Sequence, residues 1–163
     1  MAPELIGKIL VRSWTLEDGS WKRNDGIITE VEAYRVEEDL ASHARFGRTK
    51  RNEIMYGEAG FVYTYLIYGM YWLLNIVTGR TEEPQAILIR GVNDIKGPGR
   101  VGKWLQLDKI FYREDLIHSR RIWIAEPDPD IPNTTSICQS HRVGVGYAGE
   151  WAMKPWRWEL VGF

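Results

Sequence analysis

Several stretches of the chain alternate apolar and polar residues, the period of a strand with one face turned to water. Gly26 to Ala33, GIITEVEA, sets Ile28, Glu30 and Glu32 against Ile27, Thr29 and Val31, and reads as a strand whose acids form the wet face. Phe61 to Thr78 carries no charged residue and has membrane-spanning length. Thr64, Asn75 and a central Gly69, among many Tyr, Val and Ile residues, argue for strands instead. The prediction is two strands, Phe61 to Ile67 and Tyr71 to Thr78, turning through Tyr68-Gly69-Met70.

The remaining pattern is shorter. Leu5 to Arg12 reads as a helix end or a first strand, and Ala86 to Arg90 and Ile122 to Ala125 as strands. Thr49 to Tyr56 reads as a short helix capped by Thr49 and stopped by Gly57. Gly97-Pro98-Gly99 reads as a turn, Val101 to Leu107 as helix, and Arg142 to Tyr147 as a strand broken by glycines. Short strands joined mostly by turns predict an α+β fold. The expected architecture is a single domain over residues 1–163, with a curved antiparallel sheet, flanking helices and a protruding hairpin tipped by tyrosine.

Composition narrows the function classes. The single cysteine, Cys138, excludes an intrachain disulfide and a four-cysteine iron–sulfur cluster. MAPELIGKILVR has an early acid and no long apolar run, so it does not read as a signal peptide, and an intracellular protein is expected. Asn133-Thr134-Thr135 matches a glycosylation acceptor by chance on that reading. The net charge of −1 gives no sign of a polyanionic partner. Its distribution leaves a solvated surface or a nucleic-acid footprint open: Arg45, Arg48, Lys50 and Arg51 cluster, Lys96, Arg100 and Lys103 form a second group, and acids collect at Val36 to Leu40 and Glu126 to Asp130.

Most motifs dissolve on inspection. Gly144 to Gly149 fits G-x-G-x-x-G, but too little chain follows for a dinucleotide fold; the glycines are expected to let the backbone approach a ligand or a neighbouring strand. His43, His118 and His141 have no zinc spacing, and no nucleophile elbow is present. Glu30, Glu32 and Tyr34, followed by His43 and the basic run, can make a nucleotide pocket or simply a wet strand face. Tyr63, Tyr65 and Ile67 suit a core. Tyr68, at a hairpin tip beside glycine, has little of its own chain to pack on. One use for such a residue is a wedge pushed between base pairs while a nucleotide rotates out.

At this point the residues converge. ITEVEAY (Ile28 to Tyr34), DLASHARFGRTKRN (Asp39 to Asn52), YTYLIYGMYWLLNI (Tyr63 to Ile76), ILIRG (Ile87 to Gly91) and RVGVGYAGEWAMKPWRW (Arg142 to Trp158) resemble, in order, the alkyladenine (3-methyladenine) DNA glycosylases of the mammalian type, which also occur in bacteria. The resemblance implies a monofunctional enzyme of base excision repair that hydrolyses the N-glycosidic bond of damaged purines. Glu32 falls on the family's catalytic base, and Arg90 and the Val143 carbonyl on groups that position its water. Tyr34, His43, Tyr65, Asn75 and Leu88 fall on base-binding positions. Tyr68, with Met70 and Tyr71 beside it, falls on the wedge. Arg45, Arg48, Lys50 and Arg51 are expected on DNA phosphates. The resemblance further implies a monomer acting on double-stranded DNA that holds damaged purines, with no membrane, metal or cofactor.

The chain departs from the family pattern in places. Only GVNDIK separates Arg90 from Gly97, where relatives carry more, Ala59 stands at a usual proline, Tyr147 replaces a common histidine, and little follows Trp158. A binding module of the same fold that senses distorted DNA without cutting is the alternative reading. A domain unrelated to nucleic acid, its tyrosine hairpin merely core, is a third.

Overall fold

The structure is a computed structural model that describes residues 1–127 and 136–162. The acidic proline-rich stretch beyond Pro127 and the Asn133 acceptor motif lie outside the described residues. A helical turn, α1 (Ala2–Leu5), leads into β1 (Ile9–Thr15) and then β2 (Trp21–Tyr34). A hairpin follows, β3 (Val62–Ile67) and β4 (Tyr71–Val77), then β5 (Ala86–Val92) and β6 (Ile95–Lys96). The helix α2 (Pro98–Trp104) precedes β7 (Ile122–Ala125), β8 (Ser136–Ser140) and β9 (Arg157–Val161). Among the described residues these make one curled antiparallel sheet with few helices, the expected α+β class.

The sheet curls because β2 serves two partners in succession. Its first half pairs with β1, from Thr15 opposite Trp21 to Ile9 opposite Ile27. Its second half leaves β1 and pairs with β5 on one side and β9 on the other. The register against β5 slips between Ile28 and Val31, a bulge that bends the strand and sharpens its twist. The path continues through β5, β4 and β3 on one side and through β1 and β7 on the other. Along β2, Leu10, Ile28, Val31, Leu74, Ile89, Val92 and Leu105 meet in the main core.

The expected wet face does not exist. Glu30 is 5% exposed and Glu32 is fully buried. Both lie in the middle of the sheet, and arginines from β5 and β9 close over them. Other boundaries move for local reasons. Gly97-Pro98-Gly99 is not a turn: Pro98 opens α2, a position where its missing N–H costs nothing. A side chain at Gly99 would press on the Tyr71 ring, 3.0 Å from Cγ, and one at Gly102 would collide with the Trp72 carbonyl. The glycines therefore let α2 lie directly on β4, and the helix ends at Trp104 instead of Leu107.

The helix expected from Thr49 is only a 3₁₀ turn, Glu53–Tyr56, closed by Gly57 as expected. Asn52 precedes it, its side chain spent on the carbonyls of His43 and Gly47. Arg142 to Tyr147 is not a strand. The Arg142 side chain is drawn inward to Asp39, Gly144 takes a positive φ of 75°, and a 3₁₀ segment begins at Gly146. Nothing lies within 4 Å of a side chain added at Gly144, Gly146 or Gly149, so these glycines do not serve approach to a neighbouring strand; Gly144 and Gly149 take positive φ. No helix among the described residues is long and apolar enough to cross a membrane.

Candidate active site

Antiparallel register assembles the site. Tyr63 lies opposite Asn75, Asn75 opposite Leu88, Leu88 opposite Glu32, and Glu32 opposite Arg157. One row thus crosses β3, β4, β5, β2 and β9, and cross-strand neighbours share a face. Their sequence neighbours Leu74, Ile87, Ile89 and Val31 point the other way, into the main core. Period-2 alternation thereby separates a polar row from an apolar one.

Above this row opens a cavity of about 560 Å³. Tyr34, His43 and Tyr65 line it, with Asn75, Leu88 and Arg90 nearer the sheet and Val143 and Tyr147 at the loop side. The edge of the His43 ring meets Tyr65 at a centroid distance of 4.5 Å. Its Nδ1 is 2.7 Å from the Tyr63 hydroxyl, and Asn52 holds its carbonyl at 2.9 Å. Burial, with Arg51 and Arg45 nearby, pushes the His43 pKa down to about 4. The ring is therefore neutral near pH 7 and cannot serve as a resident acid. Asn75 donates to the Tyr63 carbonyl at 3.1 Å, which fixes its amide against the cavity.

Glu32 sits behind the lining. Its Oε1 accepts the Val143 N–H at 2.7 Å and lies 3.3 Å from Arg90 Nε; its Oε2 accepts the Tyr34 hydroxyl at 2.8 Å. Burial raises its pKa, and Arg90, the Val143 N–H and Tyr34 only partly offset that. Burial likewise lifts the Tyr34 phenol far above its usual value, so Tyr34 stays a donor. Val143 touches Glu32 through its N–H, a contact separate from the water that the resemblance places on its carbonyl.

Two clusters escaped sequence reasoning. The Arg142 guanidinium grips Asp39 with two bonds of 2.6 and 2.8 Å, both side chains fully buried. It also bonds the Ala33 and Trp151 carbonyls and stacks 4.8 Å over the Tyr34 ring. This clamp carries Val143 to Glu32 and braces Tyr34. The second is Glu30, whose Oε1 accepts both Arg90 Nε at 2.7 Å and Arg157 Nε at 2.6 Å. A charged residue on every partner strand was the available signal, but only the register shows that they meet.

The rim is aromatic and basic. Tyr68 is 83% exposed with a positive φ of 53°, unusual for a bulky residue, and Met70 is 66% exposed. Tyr71 packs against Gly99 of α2. Arg51 lies 4.9 Å over Tyr65, and Arg45 stacks between Phe46 and Tyr147, at 4.5 and 4.8 Å. Lys50 is exposed. Arg48 is ion-paired with Glu82 on the surface and stacked on Tyr56. The short GVNDIK segment becomes a two-residue turn between Val92 and Ile95, with Asn93 at positive φ.

The methylpurine-DNA glycosylase family matches residues 1–96 and 92–162, and the two segments meet at the shortened turn. A protein of Legionella pneumophila (strain Corby) named "Putative 3-methyladenine DNA glycosylase" is 42% identical over 159 residues, covering 93% of this chain and 82% of its own. Proteins of the same name from Myxococcus xanthus and Anaeromyxobacter sp. are 39% and 37% identical, covering 96% and 99% of this chain and 81% and 83% of their own. The chain belongs to the methylpurine-DNA glycosylase family, and with it to the DNA glycosylases that hydrolyse N-glycosyl bonds.

Proposed function

We propose that this enzyme acts on DNA holding alkylated or deaminated purines, among them 3-methyladenine, 7-methylguanine, ethenoadenine and hypoxanthine. It extrudes the damaged nucleotide into the cavity and breaks the bond between base and sugar with a water held by Glu32. The observation that carries this reading is the carboxylate of Glu32, lying behind an aromatic cavity, hydrogen-bonded by Val143 N–H and the Tyr34 hydroxyl and in ion-pair range of Arg90.

The chemistry follows from the groups present. An N3- or N7-alkylated purine is cationic and already a good leaving group. As its bond to C1′ breaks, the electron pair goes to the base and positive charge grows on the sugar. The ionised Glu32 favours that charge and accepts the proton of the attacking water. Tyr34, His43 and Tyr65 provide flat faces for the extruded base, and a cationic base gains about 0.5–2 kcal/mol against such rings. Asn75 and Leu88 close the end nearest the sheet, where a bulky purine substituent is refused. His43 is neutral, so it receives the base without repelling a positive charge. No side chain acts as a covalent nucleophile, and the product is an abasic site.

Tyr68 serves as the wedge. Its exposure and its strained φ suit a residue held out for a partner. It fills the stack that the flipped nucleotide leaves. Arg45, Lys50 and Arg51 then meet phosphates.

The test is base release from duplexes carrying ethenoadenine and from methylated DNA, read as alkali-labile abasic sites, with Glu32→Gln alongside. Release by the natural enzyme, abolished in Glu32→Gln with lesion binding kept, is the expected result. Lesion binding without release by either protein overturns the catalytic reading and leaves a damage-sensing module.

A further inference from the structure

Glu30 and Arg157 have no part in the reaction as described, yet they occupy the middle of the sheet beside it. Glu30 is 5% exposed and offers a single oxygen, Oε1, to two guanidinium groups, Arg90 Nε at 2.7 Å and Arg157 Nε at 2.6 Å. Arg157 is itself immobilised, donating to Ser140 Oγ at 3.1 Å and Glu159 Oε2 at 2.8 Å. Arg90 is held differently. Its Nε is fixed by Glu30 and lies 3.3 Å from Glu32, while its terminal nitrogens bond no group among the described residues. Arg90 also lines the cavity.

A buried carboxylate shared by two arginines is costly unless both cations stay. The arrangement fixes the root of Arg90 and leaves its tips for a ligand. It also divides the charge of Arg90 between two carboxylates. Without Glu30, the nearest anion to Arg90 is Glu32, and the two would close into an ordinary ion pair. Arg90 would then leave the cavity, and Glu32 would become a weaker base.

We propose that Glu30 and Arg157 are positioning residues for hydrolysis: the Arg157–Glu30 pair clamps Arg90 so that its guanidinium serves the cavity without neutralising Glu32. This rests on the reading of Glu32 as the base. The charged and titratable groups facing Glu32 are Arg90 from β5, Glu30 and Tyr34 from its own strand, Arg157 from β9 and Tyr65 from β3. Of these, Glu30 raises the Glu32 pKa and Arg90 lowers it. Losing the Glu30 charge therefore moves the ionisation of Glu32 to lower pH.

The experiment is single-turnover release of ethenoadenine across pH by Glu30→Gln, which keeps the side-chain volume and one acceptor oxygen. The expected result is a plateau rate reduced by about tenfold or more, as for a misplaced catalytic arrangement. The acidic limb of the profile shifts to lower pH and lesion-DNA affinity stays close to the natural enzyme's; the melting temperature falls, because two arginines lose their carboxylate, but unfolding stays cooperative and rates are compared where both proteins are fully folded. Arg157→Lys keeps the charge but loses the second grip on Glu30. It should slow release less and leave the limb in place, and it carries the test if Glu30→Gln does not fold. A natural rate and an unshifted limb in the folded variants overturn the proposal. So does a rate loss matched by equal loss of binding and of cooperative melting, which marks a structural role. Glu32→Gln runs in parallel: if it releases base like the natural enzyme, the reading of Glu32 has failed, independently of Glu30.

Discussion

Glu32 combines complete burial with two donors and a neighbouring arginine, and its protonation state is set by which wins. Burial raises its pKa more than Arg90, Val143 N–H and Tyr34 lower it. The folded protein therefore binds a proton that the unfolded chain has released, in a window from about pH 4.5 up to the raised value. Through that window Glu32 loses stability for the fold as pH rises, the opposite of a carboxylate held by a salt bridge. Glu32→Gln should accordingly melt at or above the natural enzyme at neutral pH and lose this share of the pH dependence. Calorimetry of both proteins between about pH 4 and 8 checks it, and a variant that melts markedly lower at pH 7 refutes it. His43 offers a second check. With its pKa near 4, its ring resonances should not move between about pH 5 and 8 in a proton NMR titration, and base release should show no histidine limb there.

At the scale of elements, the Asp39–Arg142 clamp explains how a loop with no strand pairing can hold a backbone N–H on Glu32. Breaking a buried ion pair by removing one partner leaves an uncompensated charge and costs about 3–5 kcal/mol. Arg142→Met should lower unfolding free energy by that order in urea denaturation. A folded remainder should release base more slowly, because Val143 is no longer held. Asp39 and Arg142 stand in the two sequence blocks that flank the site, but 103 residues apart, and nothing in either block names the other. That limit is general here. Alternation found β3, β4, β5 and β7 to within a residue or two, because each is apolar enough to declare its period. It missed β8, whose Ser136 to Gln139 are exposed, and β9, whose Trp158 and Arg157 read as a motif instead of a strand. It mistook the acids of β2 for a solvent face, because a carboxylate paired with arginines from two other strands looks in sequence like one paired with water. A pocket around Tyr34 and His43 was legible as one of two readings, Tyr65, Asn75, Leu88 and Arg90 only through family resemblance, and the roles of Arg142 and Arg157 only from the fold.

The whole molecule carries a net charge of −1, so attraction to DNA depends on where its cations stand. Arg45 and Arg51 stack on aromatic rings at the cavity and Lys50 is exposed beside them, while Arg48 is committed to Glu82. On the proposed reading, each free cation that meets a phosphate releases a counterion, and each contact contributes about 0.9 to the slope of log affinity against log salt. Lys50→Ala should therefore weaken binding to any duplex and flatten that slope by about one unit, without changing the preference for lesion over undamaged DNA. Arg48→Ala should leave the slope nearly unchanged, because its charge is already balanced within the fold. Arg51→Ala should do both, flattening the slope and reducing the lesion preference, because the same side chain lies over Tyr65 on the cavity wall. Fluorescence anisotropy with matched lesion and control duplexes over a salt series separates the three. An Arg48 variant that lost as much slope as Lys50 would show that DNA displaces Glu82, and that the protein's own acids compete with phosphate for this face.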